Sequence, residues 1–353
     1  MSLDCYSPYK IVHHQDKIKQ LKAGEQTNPL QVQLVLSNRC NHRCSFCAYR
    51  MKDYLSNETF NDQDMLSYEK ISEIINDCSD MGIKAIQITG GGEPTVHPLH
   101  KQVFTDILDK GMELALVSNG MALKEETCDI LGDSSWVRIS VDSSNPVSYS
   151  MIRNVNQQMF FKTINNIKNL VKYKRKNIIG VGFVLNKENY QEVYDAAKLF
   201  KEIGVDNFRI SAAFTPMVFP YFKDIIEESK DLSRKAEELT DGNFKVFNLF
   251  NDRVKDMFEG TQDYKFCGTK ELLAYIGADY NVYTCCTLAY NNKGKIGSIK
   301  EQSFKDLWIG EEKQKMFHNH SADLMCQHPC MYKNKNLFLN YCIKDNPQHI
   351  NFI

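Results

Sequence analysis

The chain has almost no net charge: 43 Lys and Arg stand against 44 Asp and Glu in 353 residues, a formal −1. No run of Lys and Arg exceeds a few residues, so no electrostatic footprint for a nucleic-acid backbone or an anionic membrane is present. Long apolar runs are missing as well, and the longest, such as residues 178 to 185, cannot span a bilayer. The N-terminal MSLDCYSPYK lacks a basic segment followed by an apolar stretch, so nothing there reads as a secretory signal. A soluble, cytoplasmic protein with a small or locally charged substrate is expected. At 42% hydrophobic and 25% charged residues, the chain can bury one large core, or one core plus a smaller domain.

Cysteine is abundant, with 12 copies. In a short secreted domain they would imply disulfides, but in a large chain without a signal they imply metal or redox chemistry. Cys40, Cys44 and Cys47 cluster early; Cys267, Cys285, Cys286, Cys326, Cys330 and Cys342 fall in the last quarter; Cys5, Cys78 and Cys128 are scattered.

Residues 10 to 25 read as a short polar helix. Six strand patterns follow, at 31–37, 84–89, 112–118, 136–142, 178–185 and 207–212, separated by helical periodicity at 66–81, 98–110, 123–131, 159–175 and 188–203. Such alternation implies a parallel α/β sheet, and six repeats imply an open, TIM-like (β/α)6 partial barrel rather than the closed eightfold form. The expected domains are an N-terminal extension (1–29), the barrel core (30–215), a bridge (216–265) with a helix near 223–240 and a possible strand at 244–248, and a small loop-rich α+β domain (266–353).

Parallel strands are normally apolar throughout. Here side chains two apart share a face, which places Arg138, Ser140 and Asp142 together, Arg209 with Ser211, and Gln33 and Gln87 on the matching faces of their strands. The interior is therefore expected to be hydrated or ligand-filled, unless these groups satisfy one another, for example Arg138 with Asp142.

After the first strand, NRCNHRCSFCAYR sets three cysteines in a C-x3-C-x2-C array with Phe46 before the third. Read as zinc, the array needs a fourth ligand, which His42 would supply. Read as an iron–sulfur cube, three thiolates leave one iron open to a substrate or cofactor. After the second strand, ITGGGEP lets backbone approach a ligand closely and sets Glu93 beside it; taken alone, it is equally a tight turn.

Together, the array, GGGEP and six βα repeats resemble the radical SAM superfamily over about residues 30 to 215. The resemblance implies that Cys40, Cys44 and Cys47 hold a 4Fe-4S cluster whose open iron is chelated by S-adenosylmethionine. Reductive cleavage of that cofactor would give a 5′-deoxyadenosyl radical that abstracts hydrogen from the substrate. It further implies that Gly91, Gly92 and Glu93 meet the methionine amino group, that Ser140 and Asp142 contact the methionine or ribose, and that Arg153 faces the carboxylate. Ser118 and Asn119 are either cofactor contacts or a turn and helix cap. Arg209 is the candidate contact for an anionic substrate group, with a structural salt bridge as the alternative. A low-potential electron donor such as flavodoxin or ferredoxin is implied as a partner.

From Cys267 onward the chain resembles the SPASM or twitch extension found behind many such barrels, with the order Cys267, Gly277, Cys285. A full SPASM pattern has enough cysteines for two auxiliary clusters, and this chain departs from it, offering only Cys326, Cys330 and Cys342 further on. One auxiliary 4Fe-4S cluster is the better count, held by Cys267, Cys285, Cys326 and Cys330, with Cys342 as an alternative and a zinc ribbon as another reading. Cys286 is either a small buried residue or a hydrogen-atom donor to a substrate radical. A small polar substrate, of sugar, aminoglycoside or nucleotide type, is ranked ahead of a ribosomal peptide. A binding or structural metalloprotein without catalysis is the reading from another class.

Overall fold

The computed structural model describes residues 6–51, 57–213, 218–253, 261–326 and 329–345; Cys5 and Pro216 lie outside them. A 3-10 turn (Pro8–His13) and helix α1 (Gln15–Ala23) lead into β1 (Gln31–Val35). Then follow α2 (Tyr68–Asp80), β2 (Ala85–Thr89), α3 (His100–Asp109), β3 (Glu113–Ser118), α4 (Glu125–Leu131) and β4 (Trp136–Ser140). Helices α5 (Pro146–Arg153) and α6 (Gln158–Lys172), β5 (Ile178–Leu185), α7 (Val193–Ile203) and β6 (Asn207–Ala212) complete the alternation.

All six expected strands form. The helix α5 went unread, although its start carries a local signal: the Asn145 side chain accepts the N–H groups of Val147 and Ser148, and Pro146 occupies the first turn. Elsewhere periodicity is the cause. Ile71, Ile74, Ile75 and Cys78 recur at helical spacing along α2 and bury one face, leaving the polar residues to solvent.

The sheet extends beyond the expected six strands. Strand β7 (Lys245–Asn248) pairs parallel with β6, and β8 (Leu273–Ile276) pairs parallel with β1 on the opposite side. Strands β9 (Asn281–Tyr283) and β10 (Lys295–Ser298) continue antiparallel from β8, in the order β10-β9-β8-β1-β2-β3-β4-β5-β6-β7. The bridge and the C-terminal region thus each add a parallel strand to the barrel instead of standing beside it. Strand β7 falls on the possible strand at 244–248, whereas β8, only four residues long, is too short for a period to show in sequence.

The two faces differ as the alternation requires. Val32, Leu34, Ile86, Ile88, Val137, Ile139, Phe208 and Ile210 point outward into one continuous core with the helices. Residues of the other parity point into the lumen. There Gln33 lies in register with Gln87 and with Tyr275, and Arg138 and Arg209 flank β5 beside Gly180 and Gly182. A Cβ on Gly182 would meet the Arg138 side chain at 3.5 Å, an ordinary contact, so the two pack side by side without crowding.

Candidate active site

The loops after β1 and β2 meet above the C-terminal ends of the strands. A cavity of about 250 Å³ there is lined by Cys40, Cys44, Cys47, Gly91, Ser140 and Arg153, among others. Its floor is a backbone weld: Gly92 N–H donates to Ser37 O at 3.1 Å and Glu93 N–H to Arg39 O at 2.9 Å. A Cβ on Gly92 would stand 2.1 Å from Arg39 O, so only glycine permits the approach.

Each thiol of the array receives a donor. The His42 N–H points to Cys40 Sγ at 3.4 Å, Arg153 Nη1 to Cys44 Sγ at 3.2 Å, and Arg50 Nη1 to Cys47 Sγ at 3.7 Å. Sequence reasoning assigned Arg50 no role, although its position three residues after Cys47 was visible. Burial pushes the Cys40 thiol up to about 11; the nearby Glu93 and Cys44 add to this, against the His42 N–H. Thiolate at this place therefore needs a strong positive partner such as cluster iron. All three cysteines are free, so the donor set fits a cube with three protein ligands.

Glu93 is 2% exposed and committed to protein. Its carboxylate accepts Thr95 N–H (3.1 Å), Thr95 Oγ1 (2.6 Å), Ser118 Oγ (2.7 Å) and Asn119 N–H (2.7 Å). Ser118 thus holds Glu93 and does not line the cavity, where Asn119 stands instead.

Asp142 also departs from expectation. It follows the end of β4 with a left-handed φ of 61°, which turns its fully buried side chain away from the lumen face it was expected to share with Arg138 and Ser140. It pairs with Arg153, and its other oxygen accepts Val184 N–H at 2.6 Å. Arg138 instead lies 5.6 Å from the Trp136 ring centroid, and Arg209 lies 5.3 Å from that of Tyr6, deeper in the barrel.

A second group of thiols forms in the C-terminal region. Cys267 and Cys285 pack against a buried cluster of Tyr264, Leu288, Ala322 and Cys326. The Cys330 sulfur accepts Tyr264 Oη and Tyr332 N–H, each at 3.3 Å, and Cys267 Sγ accepts Asn336 Nδ2 at 3.4 Å. Burial first, and neighbouring thiols second, push Cys267 up to about 11 and Cys326 up to about 12. The same two causes raise Cys285 well above its ordinary range. Three thiols held protonated by burial and by their neighbours, with Cys330 beside them, are the donor set a closed auxiliary cluster needs. Cys342, on the Lys333–Ile343 helix, stands apart: burial alone raises its thiol, with no neighbouring thiol acting on it. Among the described residues no three Cys, His, Asp or Glu side chains close on the point a single metal ion would occupy. A cube spreads its ligands over several irons, so it does not need that closure.

Cys286 joins the two regions. Its thiol lies 3.6 Å from Met331 Sδ and 3.5 Å from Tyr332 Oη, and it packs on an aromatic group that includes Tyr275. The Tyr275 hydroxyl is 3.0 Å from that of Tyr49, which lines the upper cavity.

Residues 34–200 match the radical SAM superfamily, and residues 267–331 match the SPASM iron-sulfur cluster-binding domain. A GTP 3',8-cyclase of Aquifex aeolicus is 32% identical over 80% of this chain and 90% of its own length. A tungsten-containing aldehyde ferredoxin oxidoreductase cofactor-modifying protein of Pyrococcus furiosus is 26% identical over 79% of this chain and 80% of its own. The antilisterial bacteriocin subtilosin biosynthesis protein AlbA of Bacillus subtilis is 23% identical over 89% of this chain and 66% of its own. Among solved structures, Streptococcus suis SuiB bound to precursor peptide SuiA superposes with a TM-score of 0.64 at 17% identity, over 94% of this chain and 78% of that one. Motifs, barrel and relatives agree: the chain belongs to the radical SAM superfamily and is an enzyme with a C-terminal SPASM domain, its cofactors a 4Fe-4S cluster, S-adenosylmethionine and SPASM auxiliary iron–sulfur.

Proposed function

We propose that the enzyme oxidises a peptide substrate, reversing the order that the sequence alone suggested. The observation that carries this reading is the placement of the four C-terminal thiols. Cys285 is adjacent to Cys286, and Cys286 packs with Tyr275, whose β8 position faces the lumen. An electron acceptor held there would stand at the wall of the substrate space, where a net oxidation needs one. AlbA, named for the biosynthesis of a bacteriocin, and SuiB, crystallised with its precursor peptide, cover most of this chain and support a peptide over a sugar.

In this reading Cys40, Cys44 and Cys47 hold the first cluster, and Cys267, Cys285, Cys326 and Cys330 hold one auxiliary cluster. When bound and reduced, the first cluster and S-adenosylmethionine supply hydrogen-atom abstraction from an unactivated C–H bond. The protein does the positioning. The Gly92 weld brings the β2 loop against the cysteine loop, Asn119 and Ser140 offer polar groups at the strand ends, and Arg153 and Arg50 donate to sulfur. Arg138 and Arg209 supply positive charge lower in the lumen for an acidic part of the substrate.

The test is anaerobic reconstitution, reduction, and incubation with S-adenosylmethionine and a pool of synthetic peptides. Release of 5′-deoxyadenosine that depends on peptide, with peptide product two hydrogens lighter, is expected. A second reading, cyclisation of a purine nucleotide, is favoured by the 32% identity to a GTP 3',8-cyclase. Release that depends on GTP, with peptides inert, would establish that reading and overturn ours.

A further inference from the structure

A second, larger cavity of about 910 Å³ opens at the other end of the barrel, below the N-terminal ends of the strands. Its wall comes from four separate places: the 3-10 turn Pro8–His13, the starts of β1 to β3, the segment Thr269 to Leu273 that opens β8, and the Lys333–Ile343 helix. Lys10, Lys84 and Lys335 line it against the single carboxylate of Glu113, an excess of two positive charges (three minus one) in a chain whose formal net charge is −1. Among the described residues none of these three lysines is in an ion pair, whereas Lys70, Lys174, Lys201 and Lys313 all are.

We infer that this cavity binds an acidic, partly apolar segment of the substrate peptide, at a distance from the reacting end. The inference rests on the peptide reading above. Three exposed lysines gather like charge on one wall, so an anion seated in the cavity meets three cations and one carboxylate. A free phosphate would use the charge and nothing else. The same wall, however, presents Ile11, Leu272 and Leu339, which form one apolar cluster with Leu21. Cations beside an aliphatic surface suit a peptide stretch in which acidic and aliphatic side chains alternate, and the volume is near the upper end for a ligand pocket. The site also touches the auxiliary region. The Lys335 ammonium lies 5.6 Å from the Tyr332 ring centroid, and Tyr332 donates its N–H to Cys330 Sγ.

The probe is a fluorescein-labelled peptide of alternating Glu and Leu, followed by anisotropy with reconstituted holoenzyme at low salt. Binding that weakens with salt is expected, with Lys335→Ala and Lys10→Ala each losing about tenfold in affinity while Lys335→Arg retains it. Iron content and circular dichroism of the variants report that the fold is kept. Unchanged binding by the alanine variants would overturn the assignment, and so would displacement by tripolyphosphate at the peptide's own concentration. The two readings fail separately. Binding without coupled 5′-deoxyadenosine release sinks the function and keeps the site; coupled turnover with binding indifferent to the lysines sinks the site and keeps the function.

Discussion

Asp142 and Arg153 form a buried ion pair that ties the end of β4 to the cysteine loop. Arg153 sits at the end of α5 and holds three things at once: the Asp142 carboxylate, the Cys44 sulfur at 3.2 Å, and the Phe46 ring with its centroid 5.7 Å away. The loop backbone follows, with Arg43 N–H donating to Arg153 O and Ser45 N–H to Ile152 O. Phe46, the aromatic before the third cysteine, is thus the surface on which the guanidinium rests.

Removing one member of such a pair leaves the other charge buried and uncompensated, at about 3 to 5 kcal/mol. Arg153→Gln should therefore lower the urea stability of the cluster-free protein by about that amount. It should also reduce the iron bound on reconstitution, because Cys44 loses its donor. A variant with wild-type stability and iron content would show that Arg153 serves only the cofactor.

Glu93→Gln keeps the shape of the side chain and reverses part of its hydrogen bonding. All four partners of the carboxylate are donors, so an amide NH2 must face at least one of them. A loss of about 1 to 3 kcal/mol in unfolding stability is expected. Weaker S-adenosylmethionine binding should accompany it, read by equilibrium dialysis, because the same carboxylate holds the backbone of Asn119, which lines the cavity.

These two sites mark where sequence stopped being informative. The six strands, seven of the helices and the cysteine array were legible because each is signalled by spacing within a short stretch of chain. The placement of Asp142 was not. Period-two alternation put it on the lumen face with Arg138, and a single left-handed residue after β4 sent it to Arg153 instead. Ser118 was recognised as a residue at the mouth of a strand, but that it serves Glu93 depends on a contact 25 positions away. The joining of β8 to the barrel was hidden for the same reason: its pairing with β1 spans more than 200 residues and leaves no local trace.

The C-terminal cysteines separate by neighbourhood. Cys326→Ser or Cys330→Ser should cost about four irons per chain after reconstitution, while Cys342→Ser costs none, because only the first two share a buried pocket with Cys267 and Cys285. Iron and sulfide analysis of the three variants decides it. Loss on changing Cys342 would transfer the ligand role to the last helix.

His97 gives the fold a pH dependence whose sign is fixed by its burial. Leu99 N–H donates to Nδ1 at 3.2 Å, so the proton is on Nε2, which donates to Leu66 O at 3.1 Å. The ring is held neutral, and burial lowers its pKa below the ordinary 6.5. The unfolded chain takes up a proton near pH 6.5 and the folded one does so only at lower pH. The contribution is therefore complete above about 6.5 and is lost as pH falls toward the folded value, by at most about 1.4 kcal/mol per pH unit. Urea midpoints of the cluster-free protein should fall between pH 7.5 and 5.5. His97→Gln should lower the midpoint at pH 7.5 and flatten the slope; an unchanged slope would mean that the acid sensitivity lies elsewhere.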